Sequence, residues 1–164
     1  MEVAYLFQIG DHIFYPMHGA GTIEAIEDRE ILGEIQQYYI IRMPVNDMQV
    51  MIPKKKIETA GIRSVVDIQR LDQVMAIFDD ADCVTLPSWK QRYQTNLEKM
   101  KTGDMQSCAE VVRDLSHLHK SKALNSSEKH MLENARKVLI SELGLVKGMS
   151  QHQATELLST KIRL

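Results

Sequence analysis

"QQYYIIRM", residues 36–43, decides the fold of the first part of the chain. Tyrosine and isoleucine crowd into a stretch that a pleated surface accommodates better than a helix does. The run is too apolar for clean alternation, so it fits a strand buried on much of both faces. Working outward, "HIFYP" (12–16), "AGTIEAIEDREI" (20–31) and "MQVMIP" (48–53) share its bias toward Ile, Tyr, Val and Phe. Gly19 and Gly21 after Pro16, Gly33 before Glu34, and Asn46-Asp47 after Pro44 punctuate these runs as turns. Four or five short strands in roughly sixty residues predict a small, strongly bent antiparallel barrel of the SH3 or Tudor kind. It is expected to occupy residues 1–63.

From Ser64 onward the period becomes helical. Val65, Ile68, Leu71, Val74, Met75 and Phe78 keep an i,i+3,i+4 spacing. Residues 79–87, "DDADCVTLP", read as an acidic connection. Ser88 is a good N-cap, and Gln91 three residues later supplies the reciprocal capping-box partner. Gly103 ends that helix, and Asp104 caps the next, whose stripe is Cys108, Val111, Val112, Leu115 and Leu118. Asn125 with Glu128 marks a further start, with Met131, Leu132, Ala135, Val138, Leu139 and Leu143 along its apolar face. A last short helix is expected from Ser150. The fold class is therefore α+β, a β barrel followed by an all-α bundle over residues 64–164.

Composition narrows the function classes. Of 164 residues, 44% are hydrophobic and 26% charged, as in a folded globular protein and not a disordered one. No apolar run approaches the roughly 20 residues that span a bilayer. The opening "MEVAYLFQIGDHIF" begins with an acid and lacks the basic-then-apolar order of an export signal. A cytoplasmic location with no membrane partner is the expectation. Cys83 and Cys108 form no metal pattern and are expected to be ordinary buried thiols. His117 and His119, two apart, point to different sides of a helix.

Chemistry is hard to find. No GxxxxGK[ST], GxSxG or HExxH occurs, and "GAG" at 19–21 reads as a tight turn. His18 has no nucleophile or orienting acid tied to it by spacing. No catalytic residue, metal or cofactor is expected, which points to a non-enzymatic protein. The charge, however, is unevenly spread. Residues 1–65 hold 6 Lys+Arg against 9 Asp+Glu, whereas residues 87–164 hold 13 against 8. An acidic front and a basic rear suit two surfaces with different partners, although solvated faces look the same in a sequence.

Trp89 is the lone tryptophan. Trp89, Tyr93, Leu97 and Met100 share a helical stripe, which favours burial. Its place in the first turn, beside Lys90 and near Arg92, instead suits a ring that stacks on bases or wedges between them.

Here the sequence resembles a known family. "IGDHIFYPMHGAGTIEAIEDREILGE" (9–34), with "YYIIRMP" and "MQVMIP" behind it, resembles the N-terminal module of CarD/CdnL-type bacterial transcription regulators. That module is itself similar to the polymerase-binding domain of the transcription-repair coupling factor. "SWKQRYQTNLEKMKTGD" (88–104), "AEVVRDLSHL" (109–118) and "LNSSEKHMLENARKVLISEL" (124–143) resemble the family's helical domain. The resemblance implies a factor whose first domain binds the RNA polymerase β subunit. Its second domain is implied to touch upstream promoter DNA, with a tryptophan wedge that stabilises the open complex.

Carried onto this chain, the resemblance makes Trp89 the wedge. Arg92 and Lys129 become DNA-facing and Arg29 faces the polymerase, and Lys90, beside the wedge, is expected to contact phosphates with them. Met51 occupies a strand position that is an arginine contact in some relatives, and Gln91 and Gln94 stand where arginine and lysine are common. These departures remove charge from both expected interfaces. A monomer is expected, with exchange of strands between two chains as the alternative. The rival function is a protein-interaction adaptor or self-associating scaffold in which Trp89 belongs to the core.

Overall fold

A computed structural model describes residues 7–79 and 88–162. Of the acidic connection expected at 79–87, Asp79 ends a 3-10 turn, and residues 80–87, with Cys83, lie outside the described residues, as do residues 1–6 and 163–164.

Among the described residues five strands come first: β1 (His12–Tyr15), β2 (Gly19–Ile31), β3 (Glu34–Met43), β4 (Met48–Pro53) and β5 (Arg63–Ser64). All pairings are antiparallel, in the order β4-β3-β2-β1-β5, so a four-strand meander is completed by β5 returning beside β1. The β2–β3 hairpin turns on Leu32 and Gly33, both at positive φ, the geometry whose twist matches the flanking strands. Pairing slips once, between Ile23 and Ala25, and this irregularity bends the long β2 strand.

The opening stretch behaves as its composition demands. Tyr39, Ile41 and Met43 enter the sheet's own core with Ile13, Ile23 and Ile52. Tyr38 and Ile40 point the other way and are still only 6% exposed each. "GAG", in contrast, is not a turn. The turn is Pro16–His18, with Met17 at φ 72, and the glycines belong to β2. A Cβ on Gly21 would lie 2.6 Å from the Arg42 carbonyl oxygen of β3, so the position is set by close strand approach.

Five α-helices follow among the described residues: α1 (Ile68–Met75), α2 (Trp89–Lys101), α3 (Met105–Ser121), α4 (Ser126–Lys147) and α5 (Gln151–Ile162). The helical period does not begin at Ser64. Ser64 pairs with Ile13 in β5, and α1 starts only after Asp67 caps it by accepting from the Arg70 amide at 2.8 Å. Ile68, counted on the apolar stripe, is 49% exposed. The remaining starts match the capping chemistry. Ser88, Asp104 and Asn125 each accept from the amide three residues on. Ser150 and Gln153 form a reciprocal box at 3.1 and 3.0 Å.

Sheet and helices share one seam. Phe14 and Ala20 leave the sheet core and pack with Leu71, Val112, Leu139 and Leu143. Arg63 of β5 donates to both oxygens of Glu142 of α4, at 2.7 and 2.9 Å, and its Nε donates to the Gly103 carbonyl at 2.8 Å. The Glu142 carboxylate, with no exposed surface, also accepts from the Val66 amide at 2.9 Å. Such a buried charge is tolerated only because its lone pairs are filled. Gly103, at φ +72, lets Pro16 of the β1–β2 turn press against the bundle, because a Cβ there would lie 2.7 Å from the proline ring.

Candidate nucleic-acid and protein interfaces

Trp89 is the first residue of α2, held there by the Ser88 cap, whose hydroxyl accepts from the Gln91 amide at 3.2 Å. The residue is 46% exposed, and its ring meets Tyr93 edge to face, with centroids 6.5 Å apart. Tyr93 and Leu97 lean on the helical core, and Met100 is within it. The stripe predicted from spacing is therefore real, but it sinks inward only after its first member. Trp89 rests on the core's edge and does not belong to it.

Lys90 and Lys129 are exposed. Arg92 is not a free cation. Its Nε and Nη2 donate to the two oxygens of Glu128 at 2.6 and 2.8 Å, with side chains 12% and 2% exposed. The carboxylate holds the Arg92 guanidinium above its ordinary range, outweighing burial, which pushes it down. Asn125 completes the arrangement. Its side-chain oxygen accepts from the Glu128 amide at 2.8 Å, and its side-chain nitrogen donates to Glu128 Oε1 at 3.2 Å. The expected phosphate ligand is thus a strut that fastens the first turn of α2 to the start of α4. In consequence it brings the turn carrying Trp89 and Lys90 beside the residue preceding Lys129.

Glu128 had been legible only as a helix-start residue, and its partner lies 36 positions away. Glu142 left a fainter trace, a lone acid inside the apolar run "VLISELGLV" (138–146). Neither Arg63 nor Glu142 stood out as a pair.

The other two expected contact residues come from separate strands. Arg29 pairs with Gln36, and Met51 pairs with Ile40. Residues 36, 38 and 40 of β3 share a face, so Arg29 and Met51 stand on the same side of the sheet, around Tyr38 and Ile40 and opposite the sheet core. The Arg29 side chain is 51% exposed and ion-paired to Glu27, with Nε–Oε2 at 2.9 Å. Met51 is 40% exposed and Met48 38%, both on β4, whose outer edge carries no strand among the described residues.

Other chemistry is sparse. No group of three or more His, Cys, Asp or Glu that could hold a metal occurs among the described residues. No helix among them is long and apolar enough to cross a membrane. Burial pushes the Cys108 thiol up to about 12, with the Glu142 carboxylate adding to the effect.

Comparison with known proteins agrees with the resemblance. Residues 7–66 match the family model of the CarD-like/TRCF RID domain, and residues 73–159 match that of the CarD C-terminal domain. The "Putative transcription factor YdeB" of Bacillus subtilis (strain 168) is 56% identical over 148 residues, 90% of this chain and 97% of that protein. The solution structure of the 72-residue N-terminal domain of Myxococcus xanthus CarD is also similar, at 28% identity and a TM-score of 0.31. It covers 35% of this chain and 77% of that one. The chain belongs to the CarD family of transcription regulators, with an RNA-polymerase-interacting module followed by the family's C-terminal domain.

Proposed function

We propose that this regulator binds the RNA polymerase β subunit through the Arg29–Met51 face of its sheet. On this reading the helices hold promoter DNA at the edge of the melted region. Trp89, Lys90 and Lys129 form the DNA face, and Arg92 positions them through Glu128. The observation that carries the reading is the half-exposed Trp89 ring, capped in place on a buried ion pair and flanked by solvated lysines.

The physics fits. Wedging a ring between bases costs a few kcal/mol of unstacking, and least where the duplex is already opening. A ring fixed in advance loses little ordering entropy when it inserts. Contacts from two lysines are weak alone, but tethering through polymerase raises the local DNA concentration. On the sheet side, an exposed arginine offers a forked, charge-assisted contact, and β4 offers an open edge for strand addition.

The test uses full-length variants. Arg29→Glu should lower capture of the β subunit with no loss of folding, and Trp89→Ala should shorten the open-complex lifetime with capture unchanged. Loss of capture with Trp89→Ala and normal capture with Arg29→Glu would invert the assignment and defeat it.

A further inference from the structure

We infer that the open groove between α3, α4 and α5 is a second phosphate track, along which duplex DNA continues beyond the Trp89 face. The inference rests on the DNA-binding reading above and extends it to residues outside that site.

The groove has an apolar floor that includes Leu132 and Ile140, and a rim formed by His119, Lys129, Arg136 and Lys137. Three permanent cations face a single carboxylate, Glu133, which is already paired with Lys137 at 3.3 Å. Among the described residues Arg136 is held by a long 3.4 Å hydrogen bond from Nη2 to the Ser159 hydroxyl. An otherwise slightly acidic protein therefore keeps an uncompensated positive strip at this place. Charge complementarity selects a polyanion as its occupant.

The spacing selects an extended one. Seven residues make almost two full helical turns, so Lys129 and Arg136 project along nearly one line of α4, about 10 Å apart. One strand of duplex DNA carries a phosphate every ~3.4 Å along the axis, so that interval corresponds to about three base steps. Among the described residues no Phe, Tyr or Trp lines the groove, whose one imidazole is His119 at the rim, which argues against a stacking platform for unpaired bases there. Continuity supplies the last element. Lys129 lines the groove and directly follows Glu128, which the Arg92 strut ties to the Trp89 turn. A backbone leaving Trp89 past Lys129 thus meets Arg136 and Lys137 next.

The experiment measures binding of the full chain to a blunt, fluorescently labelled duplex at several salt concentrations. The variants are Lys137→Gln, Arg136→Gln and the double change. Lys137 is exposed, so at least that variant keeps its fold. The slope of log affinity against log salt should become shallower by about 0.9 for each phosphate contact removed. Trp89→Ala, which removes no charge, should leave that slope alone. Unchanged slope and affinity in the double variant would overturn the track. So would normal duplex binding combined with weakened polymerase capture, which would assign the groove to an acidic protein surface. Because duplex binding and open-complex lifetime are read separately, the track can fail while the Trp89 reading stands, and the reverse.

Discussion

Arg92 and Glu128 meet as a two-point ion pair across the junction of α2 and α4, at 2.6 and 2.8 Å, with the carboxylate side chain 2% exposed. Removing one partner of such a pair leaves an uncompensated buried charge. Arg92→Ala should therefore cost about 3–5 kcal/mol of stability. Lys90→Ala, two residues earlier on the exposed face, should stay within about 0.5 kcal/mol. Urea unfolding of both variants checks this, and equal small losses would show that Arg92 is not a strut.

Trp89 should behave differently from a core tryptophan. A buried one replaced by alanine loses roughly 3–5 kcal/mol. With nearly half its surface in water and Tyr93 edge-on to its ring, Trp89→Ala should lose less than half of that. Because no other tryptophan occurs in the chain, fluorescence of the native protein reports this ring alone. Its emission should be that of a partly hydrated indole and should shift when promoter DNA and polymerase are added together.

Cys108 offers a pH test. Its folded-state pKa, raised to about 12 by burial, lies above the ordinary thiol value, so the folded state resists losing this proton. The associated stability is fully present below about pH 8.5, the unfolded value, and is lost as pH rises toward 12. The slope in that window is at most about 1.4 kcal/mol per pH unit from this group. Cys108→Ala should be less stable at neutral pH but decline less steeply above pH 9. In a Cys83→Ser background, a thiol reagent should label Cys108 only at the rate of unfolding.

Arg63→Lys should not be conservative. Arg63 donates to two carboxylate oxygens, to the Gly103 carbonyl and to the Ser64 carbonyl, and its guanidinium lies 4.4 Å from the Phe14 ring centre. A lysine presents a point charge without the planar fork. A loss of about 1–3 kcal/mol is expected from the unmade bonds on Glu142, measured as a lowered urea midpoint. A midpoint equal to that of the native chain would mean that the seam tolerates rearrangement.

The strands were readable because their information is local. The dense β-branched and aromatic run at 36–43, bounded by turn residues, needs no distant partner to be recognised. The caps at Ser88, Asp104 and Asn125 are local in the same way, each closing a bond over three residues. What escaped depends on tertiary pairing. β5 is two residues long and exists because Ile13 and Phe14 lie beside it. Gly21 looks like a turn residue until the Arg42 carbonyl approaches it. In the candidate site, Trp89 and Lys129 are exposed, whereas Arg92 is turned onto the buried Glu128 carboxylate. A basic residue on a helix face looks the same in a sequence whether water or a buried carboxylate waits opposite.

The seam at Arg63 and Glu142 carries a consequence for reach. Because Phe14 and Ala20 of the sheet are packed among helical side chains, the sheet face bearing Arg29 and the helix face bearing Trp89 are parts of one solid. The protein is then a caliper and not two hands on a string. Any pair of surfaces it grips at once must present themselves at its own spacing and angle. If the two faces bind as proposed, selectivity can arise from that distance alone, with neither jaw reading a sequence.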